Sequence, residues 1–261
     1  MAGKPSPNLF RATAQYYDLQ SAELSQDDVP FYLDYAARLG GDILELACGT
    51  GRLAMPLAEA GHTVWGLDLS LEMLGQCQEK MARHPQNVQE RVSLFHMNMA
   101  DFSFGRTFPL IILGLRSFQA LTREKEQLSC LANVRNHLAD DSLFIIDVFK
   151  PHEPIDESWV REEQNNLETV DPRSGAYVRF ADHPRKIDLE NQIIYPDLIY
   201  YISHPDGKEE RLVEPLTLKY YFEDQMRELL LKTGFTIKEE MGYYDKRPIS
   251  EGPELIFVCS R

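Results

Sequence analysis

Glu45, Gly49, Gly51 and Asp68 are the residues whose types and spacing could do chemistry in this chain. The first three lie in Ile43-Leu44-Glu45-Leu46-Ala47-Cys48-Gly49-Thr50-Gly51-Arg52, a short apolar strand that runs into a glycine turn and a helix-forming segment. Asp68 ends a second strand, Thr63-Val64-Trp65-Gly66-Leu67, seventeen residues beyond Gly51. An acid at that place can hydrogen-bond both hydroxyls of a ribose, and the glycines let backbone approach a ligand closely. The pairing implies a nucleoside-bearing cofactor.

As a bare pattern, Gly49-Thr50-Gly51-Arg52-Leu53-Ala54 fits G-x-G-x-x-[GA], so a nicotinamide dinucleotide is one candidate. In that case the glycines and the helix N-terminus would receive a pyrophosphate. Glu45, two residues before the turn segment, is a poor neighbour for a diphosphate and suits a cofactor carrying an ammonium or sulfonium charge. An unpaired acid at a strand end is costly to bury, which also favours a bound partner.

The run LELACGTGR, followed by Gly66-Leu67-Asp68-Leu69-Ser70 and Glu72-Met73-Leu74, resembles class I S-adenosylmethionine-dependent methyltransferases of the small-molecule type, with GTGR and DxSxxML segments. The likeness extends from Tyr16-Tyr17-Asp18 to the last strand. It implies that Ala47, Cys48, Gly49, Thr50 and Gly51 pass close to the methionine moiety and that Glu45 receives the donor's amino group. Cys48 is equally read as a small residue tolerated in a tight turn. Arg52 is a candidate for the donor carboxylate or a solvated first-turn arginine. Asp68 holds the ribose; Leu69 and Met73 pack on adenine, with Met73 also fitting ordinary core. After the third strand, His96-Met97-Asn98-Met99-Ala100-Asp101 places Asn98 where the family has an acid that accepts from the adenine amine, and an Asn carbonyl can do the same. Met99 and Ala100 accompany it. Leu115, Arg116 and Ser117, beyond the fourth strand, are cofactor-facing by the same likeness. Tyr16 and Tyr17 fall in a helical lid over 1–40, where one of them can serve core packing and the other the sulfonium.

Methyl transfer is an in-line displacement in which alignment supplies much of the acceleration. An amine acceptor needs only its neutral form, whereas an oxygen nucleophile benefits from a general base. No residue is a compelling base; Tyr17 and His152 are the weak catalytic candidates, so N-methylation is slightly preferred over O-methylation. The acceptor, a small molecule, would lie between the sheet edge and an inserted set of strands, where Tyr177, Arg179, Tyr220, Tyr221 and Tyr244 are candidates. The alternatives are a donor-binding sensor or scaffold without turnover and an NAD-dependent dehydrogenase.

These residues need a scaffold, and the pattern supplies one. Strands near 42–46, 63–67, 91–96, 109–114 and 142–148 alternate with helices at 52–60, 71–83 and 123–138, which implies a doubly wound parallel sheet with ligands beyond the strand carboxyl ends. The first 40 residues read as helical, with a capping-type Ser25-Gln26-Asp27-Asp28 before Val29. Residues 156–220 alternate polar with apolar and break at 171–175, 188–191 and 204–207, predicting three or four antiparallel strands. A helix at 222–233, stopped by Gly234, and strands at 235–241 and 254–259 finish the chain. The expected organisation is a lid over 1–40, a Rossmann-like methyltransferase core of seven strands over 41–150 and 221–261, and an inserted β cap over 151–220. The cap is also the natural contact of a homodimer, if the protein is not a monomer.

Forty-one acidic and 27 basic residues give a net charge of −14, which disfavours a nucleic acid partner. The four cysteines form no C-x-x-C pair, so neither a disulfide framework nor a metal site is expected. The absence of an apolar run near 18 residues argues against a membrane span, and a cytoplasmic location is expected.

Overall fold

The computed structural model describes residues 10–21, 27–151 and 155–261. In chain order these form α1 (Ala14–Ser21), α2 (Asp28–Leu39), β1 (Asp42–Leu46), α3 (Ala54–Glu59), β2 (Thr63–Asp68), α4 (Leu71–Met81), a short α5 (Gln86–Gln89), β3 (Val92–His96), β4 (Phe108–Leu113), α6 (Glu124–His137) and β5 (Leu138–Phe149). They continue with β6 (Gln164–Val170), β7 (Tyr177–Asp188), β8 (Ile193–Ser203), β9 (Glu209–Pro215), β10 (Leu218–Lys219), α7 (Glu223–Lys232), β11 (Thr236–Met241) and β12 (Glu254–Ser260).

Seven strands form one sheet in the order β11-β12-β5-β4-β1-β2-β3. β1 pairs parallel with both β2 and β4, so the chain winds outward in both directions from the β1/β4 boundary. In open α/β sheets that boundary is where ligands bind. β12 runs antiparallel to both β5 and β11. β4 explains why the sheet is covered on both sides: Leu110 and Ile112 enter one core with Phe31, Tyr32, Tyr35 and Leu57, while Ile111 and Leu113 enter the other with Leu131, Val134, Met226 and Leu230. A continuous apolar run is what a strand buried on both faces requires.

β6 to β10 make the second sheet, in the order β10-β8-β7-β6 with β9 also paired to β8. Each of the three expected breaks joins consecutive strands of this sheet. The sheet has five strands rather than three or four, because the chain returns after β9 to lay two residues, Leu218 and Lys219, beside the start of β8. Val178, Phe180, Tyr200 and Ile202 pack with Tyr16 of α1 on its inner face.

Local differences from the sequence pattern have identifiable causes. α3 starts at Ala54, two residues late, because Gly51 closes a turn onto the Cys48 carbonyl before Met55 N–H makes a helical bond to Gly51. Pro56 is tolerated there because first-turn N–H groups lack intrahelical acceptors. β5 begins at Leu138 rather than 142: Leu138 pairs with Phe108 across a register shift, and Asp141 takes a φ of 57°. Ser25 and Gln26 lie outside the described residues; Asp27 makes no side-chain cap bond. Gly234 follows α7 with φ 88°, and Phe235 N–H returns to the Leu230 carbonyl, as expected for a helix-ending glycine. No helix among the described residues is long and apolar enough to cross a membrane.

Truncating Ile111 to Ala, at a fully buried position in the sheet centre, should lower unfolding free energy by about 2–5 kcal/mol. Leu189→Ala, in an exposed hairpin turn, should stay within about 0.5 kcal/mol; urea denaturation compares the two.

Candidate active site

The turn after β1 is shaped by three left-handed residues, Ala47 (φ 55°), Gly49 (φ 55°) and Gly51 (φ 75°). A side chain at Gly49 would meet Met73 Cε at 3.2 Å, and one at Gly51 would run into Cys77 Sγ. Cys48 and Cys77 are therefore buried packing partners of the turn, and burial pushes both thiols up, Cys77 to about 12. Asp68 fixes the turn from the next strand: Gly49 N–H donates to Oδ2 at 2.9 Å and Ser70 N–H to Oδ1 at 2.8 Å. Burial raises its carboxyl, and those N–H donors oppose the rise.

Glu45 lies between Gly66 and Ile112 on the flanking strands, buried, with Oε2 lacking any hydrogen-bond partner. Burial pushes this carboxyl up to about 8; Asp68 and Asp28 add to the rise and Arg52 opposes it. Natively buried polar atoms are nearly always paired, so an orphaned carboxylate oxygen at the strand end marks a place for a cationic ligand group.

Arg52 is committed within the chain. Its Nη1 donates to Asp28 Oδ1 at 2.9 Å and its Nη2 pairs with Oδ2, a two-pronged ion pair in which Asp28 is 1% exposed. Arg52 is thus not a solvated arginine, its side chain being 11% exposed, and Asp28, read as part of a helix cap, is its partner. α1 is tied to the same turn: Thr50 Oγ1 donates to Asp18 Oδ1 at 2.6 Å, and Lys80 of α4 pairs with Asp18 Oδ2 at 2.7 Å. Half-buried Tyr17 has its hydroxyl raised by burial and feels Arg52, Asp18, Asp68 and Asp28. Tyr16 packs instead against Tyr200 of the second sheet, ring centroids 6.0 Å apart, while the Tyr17 ring meets Phe10 edge-on at 5.0 Å.

On the β2 and β3 side, half-buried Leu69 offers its carbonyl to His96 Nε2 at 3.0 Å. Buried Met73 donates its N–H to the Ser70 hydroxyl that caps α4. Asn98 Oδ1 accepts Ala100 N–H at 2.8 Å, closing a turn of its own, although an amide oxygen has a second lone pair. Met99 packs against the main core, and the Ala100 carbonyl receives Ser129 and Asn133.

The loop after β4 carries two consecutive left-handed residues, Leu115 (φ 51°) and Arg116 (φ 61°), each strained by about 1–2 kcal/mol. Asp147, at the end of β5 and wholly buried, accepts both of their N–H groups at 3.1 and 2.7 Å and the Tyr32 hydroxyl at 2.6 Å. Burial raises this carboxyl against those donors. Arg116 forms a two-pronged pair with Glu254 at the start of β12, whose carboxyl burial pushes up to about 7 while Arg116 opposes the rise. Ser117 N–H returns to the Gly114 carbonyl and opens a short 3-10 turn. Sequence reading missed Tyr32, Asp28, Asp147 and Glu254. An acid inside the apolar run Phe144-Ile145-Ile146-Asp147-Val148-Phe149 is the same signal that singled out Glu45.

The acceptor candidates do not converge. Tyr177 is exposed and donates to Glu168, and Arg179 stacks 3.8 Å over Tyr201 within the second sheet. Tyr220 is buried edge-on to Phe222, and Tyr221 stacks on Phe118 in the main core with its hydroxyl unpaired. Alternation along a strand gives faces but not what each face meets, which is why this grouping fails. Tyr244 alone reaches the site: it packs on Phe31 and Tyr32, and Asp147, Glu254 and Asp28 bear on its hydroxyl. His152 lies outside the described residues.

A family model described as a methyltransferase domain matches residues 43–141. A provisionally assigned methyltransferase of Geobacillus sp. (strain WCH70) is 27% identical over 257 residues, 97% of this chain and 99% of that protein. The CcbJ methyltransferase of Streptomyces caelestis has the same fold, with a TM-score of 0.79 at 20% identity over 98% of each chain. Residues 43–141 thus match a methyltransferase domain, and the whole chain has the fold of S-adenosylmethionine-dependent methyltransferases such as that of Clostridium acetobutylicum ATCC 824, with a TM-score of 0.77 at 18% identity over 94% of this chain and 96% of that one. The chain is also 30% identical over 149 residues to the dTDP-3-amino-3,6-dideoxy-alpha-D-glucopyranose N,N-dimethyltransferase of Streptomyces fradiae, 55% of each chain. The orphaned Glu45 oxygen and the side-chain-free approach at Gly49 fit the ammonium and methionine chain of S-adenosylmethionine.

Asp28→Ala would remove the two-pronged partner of the buried Arg52 guanidinium, a loss of about 3–5 kcal/mol in chemical denaturation. Asp28→Leu with Arg52→Met should recover most of it, because apolar replacement of a buried pair is near neutral.

Proposed function

We propose that the protein is an S-adenosylmethionine-dependent methyltransferase that N-methylates a small-molecule amine, holding the donor with Glu45 on its amino group, Asp68 on the ribose and the Gly49–Gly51 backbone along the methionine chain. The observation that carries this reading is the unpartnered Glu45 carboxylate beside the glycine turn. When bound, S-adenosylmethionine supplies an activated methyl group on a sulfonium leaving group. Asp68 keeps the turn in register through Gly49 and Ser70, and its carboxylate is the acceptor for the ribose hydroxyls. Leu69 and Met73 supply apolar surface for adenine, with Asn98, Met99 and Ala100 along its edge. Tyr17 lies on the α1 side, and Leu115, Arg116 and Ser117 form the opposite wall.

The amine preference has two supports. Asp18, Asp28, Asp68, Asp147 and Glu254 outnumber Arg52, Lys80 and Arg116 at this end of the sheet, a field that favours cations. His96 and His137, on elements beside the site, direct ring nitrogens to backbone groups, which leaves them poorly placed as bases for an oxygen nucleophile. The Streptomyces fradiae relative is named for dimethylation of an amino sugar, in keeping with this class.

Thermal unfolding with S-adenosylmethionine, S-adenosylhomocysteine and NAD tests donor choice. The first two should stabilise by about 2.7 kcal/mol at a hundredfold excess over Kd, and NAD should not. Methyl transfer, followed by mass spectrometry over matched amines and alcohols, should favour the amines; turnover with alcohols alone would overturn the preference.

Glu45→Gln should separate stability from binding. The folded state holds the Glu45 proton up to about pH 8 against a usual 4.5, so stability contributed by this group is present below 4.5 and lost as pH rises through 8. The Gln variant should remove that decline, melt higher at neutral pH, and bind the donor about tenfold or more weakly. Donor affinity of the parent protein should climb as pH rises toward about 8, where Glu45 ionises, and the variant's should not.

A further inference from the structure

We infer that Asp147 is a positioning residue for the binding site: its carboxylate holds the Leu115–Arg116 wall in a left-handed conformation that its side chains resist. Successive backbone N–H groups in a turn can point to one side and form an anion-binding hollow. Here the anion is built into the chain. Asp147 Oδ2 accepts Leu115 N–H at 3.1 Å and Oδ1 accepts Arg116 N–H at 2.7 Å. Tyr32 of α2 completes the set with a 2.6 Å bond to Oδ2. Gly114 precedes the hollow because a side chain there would come within 2.9 Å of the Tyr32 hydroxyl and 3.4 Å of Asp147 Oδ2. The wall follows β4, the strand beside Glu45's strand across the boundary where ligands bind. Non-glycine residues in a strained conformation persist only where their surroundings impose it, and such sites cluster at ligand clamps. Asp147 is wholly buried and faces the wall from behind, so it acts through Leu115 and Arg116 rather than on a ligand.

This inference rests on the donor site proposed above, and glycine provides its test. If Asp147 acts by enforcing a left-handed Leu115, a glycine at 115, which accepts that conformation without strain, should make the carboxylate less necessary. Calorimetric titration of S-adenosylmethionine and S-adenosylhomocysteine would be run on Asp147→Asn, Leu115→Gly and the double variant. Asp147→Asn should raise both Kd values about tenfold or more, and the double variant should return to within about threefold of Leu115→Gly alone. Unchanged affinity in Asp147→Asn, with or without a lower Tm, would overturn the proposal, as would a double variant no better than Asp147→Asn. Tyr32→Phe, which keeps the ring and removes one donor, should raise Kd about threefold, and it decides the matter if Asp147→Asn does not fold. If the parent protein fails to bind either ligand, the donor reading falls, and amide exchange at Leu115 and Arg116 then decides this one: about tenfold faster in Asp147→Asn supports it, unchanged exchange sinks it.

Discussion

Burying carboxylates near one another is the constraint from which this site is built. Asp28, Asp68, Asp147 and Glu254 each have donors within the chain: a guanidinium for Asp28 and Glu254, and backbone N–H groups for Asp68 and Asp147. Each pairing fixes a segment. Asp28 sets the start of α2 against Arg52, Asp68 holds the glycine turn, Asp147 the wall after β4, and Glu254 the Arg116 side chain. Glu45 stands apart, with one oxygen unsatisfied in a dry place. Four acids are completed within the chain, and the fifth is the one left open.

How much of this can be read from sequence depends on the range of the interaction. The strand, the glycine turn and Asp68 form one local unit, and β4 announces itself by five apolar residues in succession, Leu110 to Leu113 preceded by Pro109. The doubly wound sheet and the antiparallel hairpins follow from patterns of the same short range. Asp28 with Arg52, Asp147 with the 115–116 wall and Glu254 with Arg116 join residues 24, 31 and 138 positions apart. Nothing in the chain near Asp28 distinguishes a buried ion-pair partner from a helix-capping acid. The second sheet makes the same point differently, since its alternating tyrosines were visible while their destinations were not.

The two ends of α1 do different work because of a single step in the chain. Tyr16 is buried with Tyr200 and Phe180 in the second sheet, while Asp18 grips Thr50 of the glycine turn and Lys80 of α4, and Tyr17 lies in the field of Arg52 and Asp68. Thr13 adds a buried bond to Glu214 of β9, and Arg173, in the β6–β7 turn, reaches the Gln15 carbonyl and Gln76 of α4. One two-turn helix is thereby shared by both sheets.

That sharing bears on modularity. An inserted sheet hanging from one strand end would be a convenient part to exchange between relatives, carrying a new acceptor preference onto an old donor fold. Here the exchange cannot be made at the insertion alone. A transplanted sheet would arrive without its matching Tyr16, Thr13 and Gln15, and the helix left behind would still be anchored to the glycine turn. The unit that must move together is discontinuous: the inserted sheet with a helix about 140 residues upstream of it.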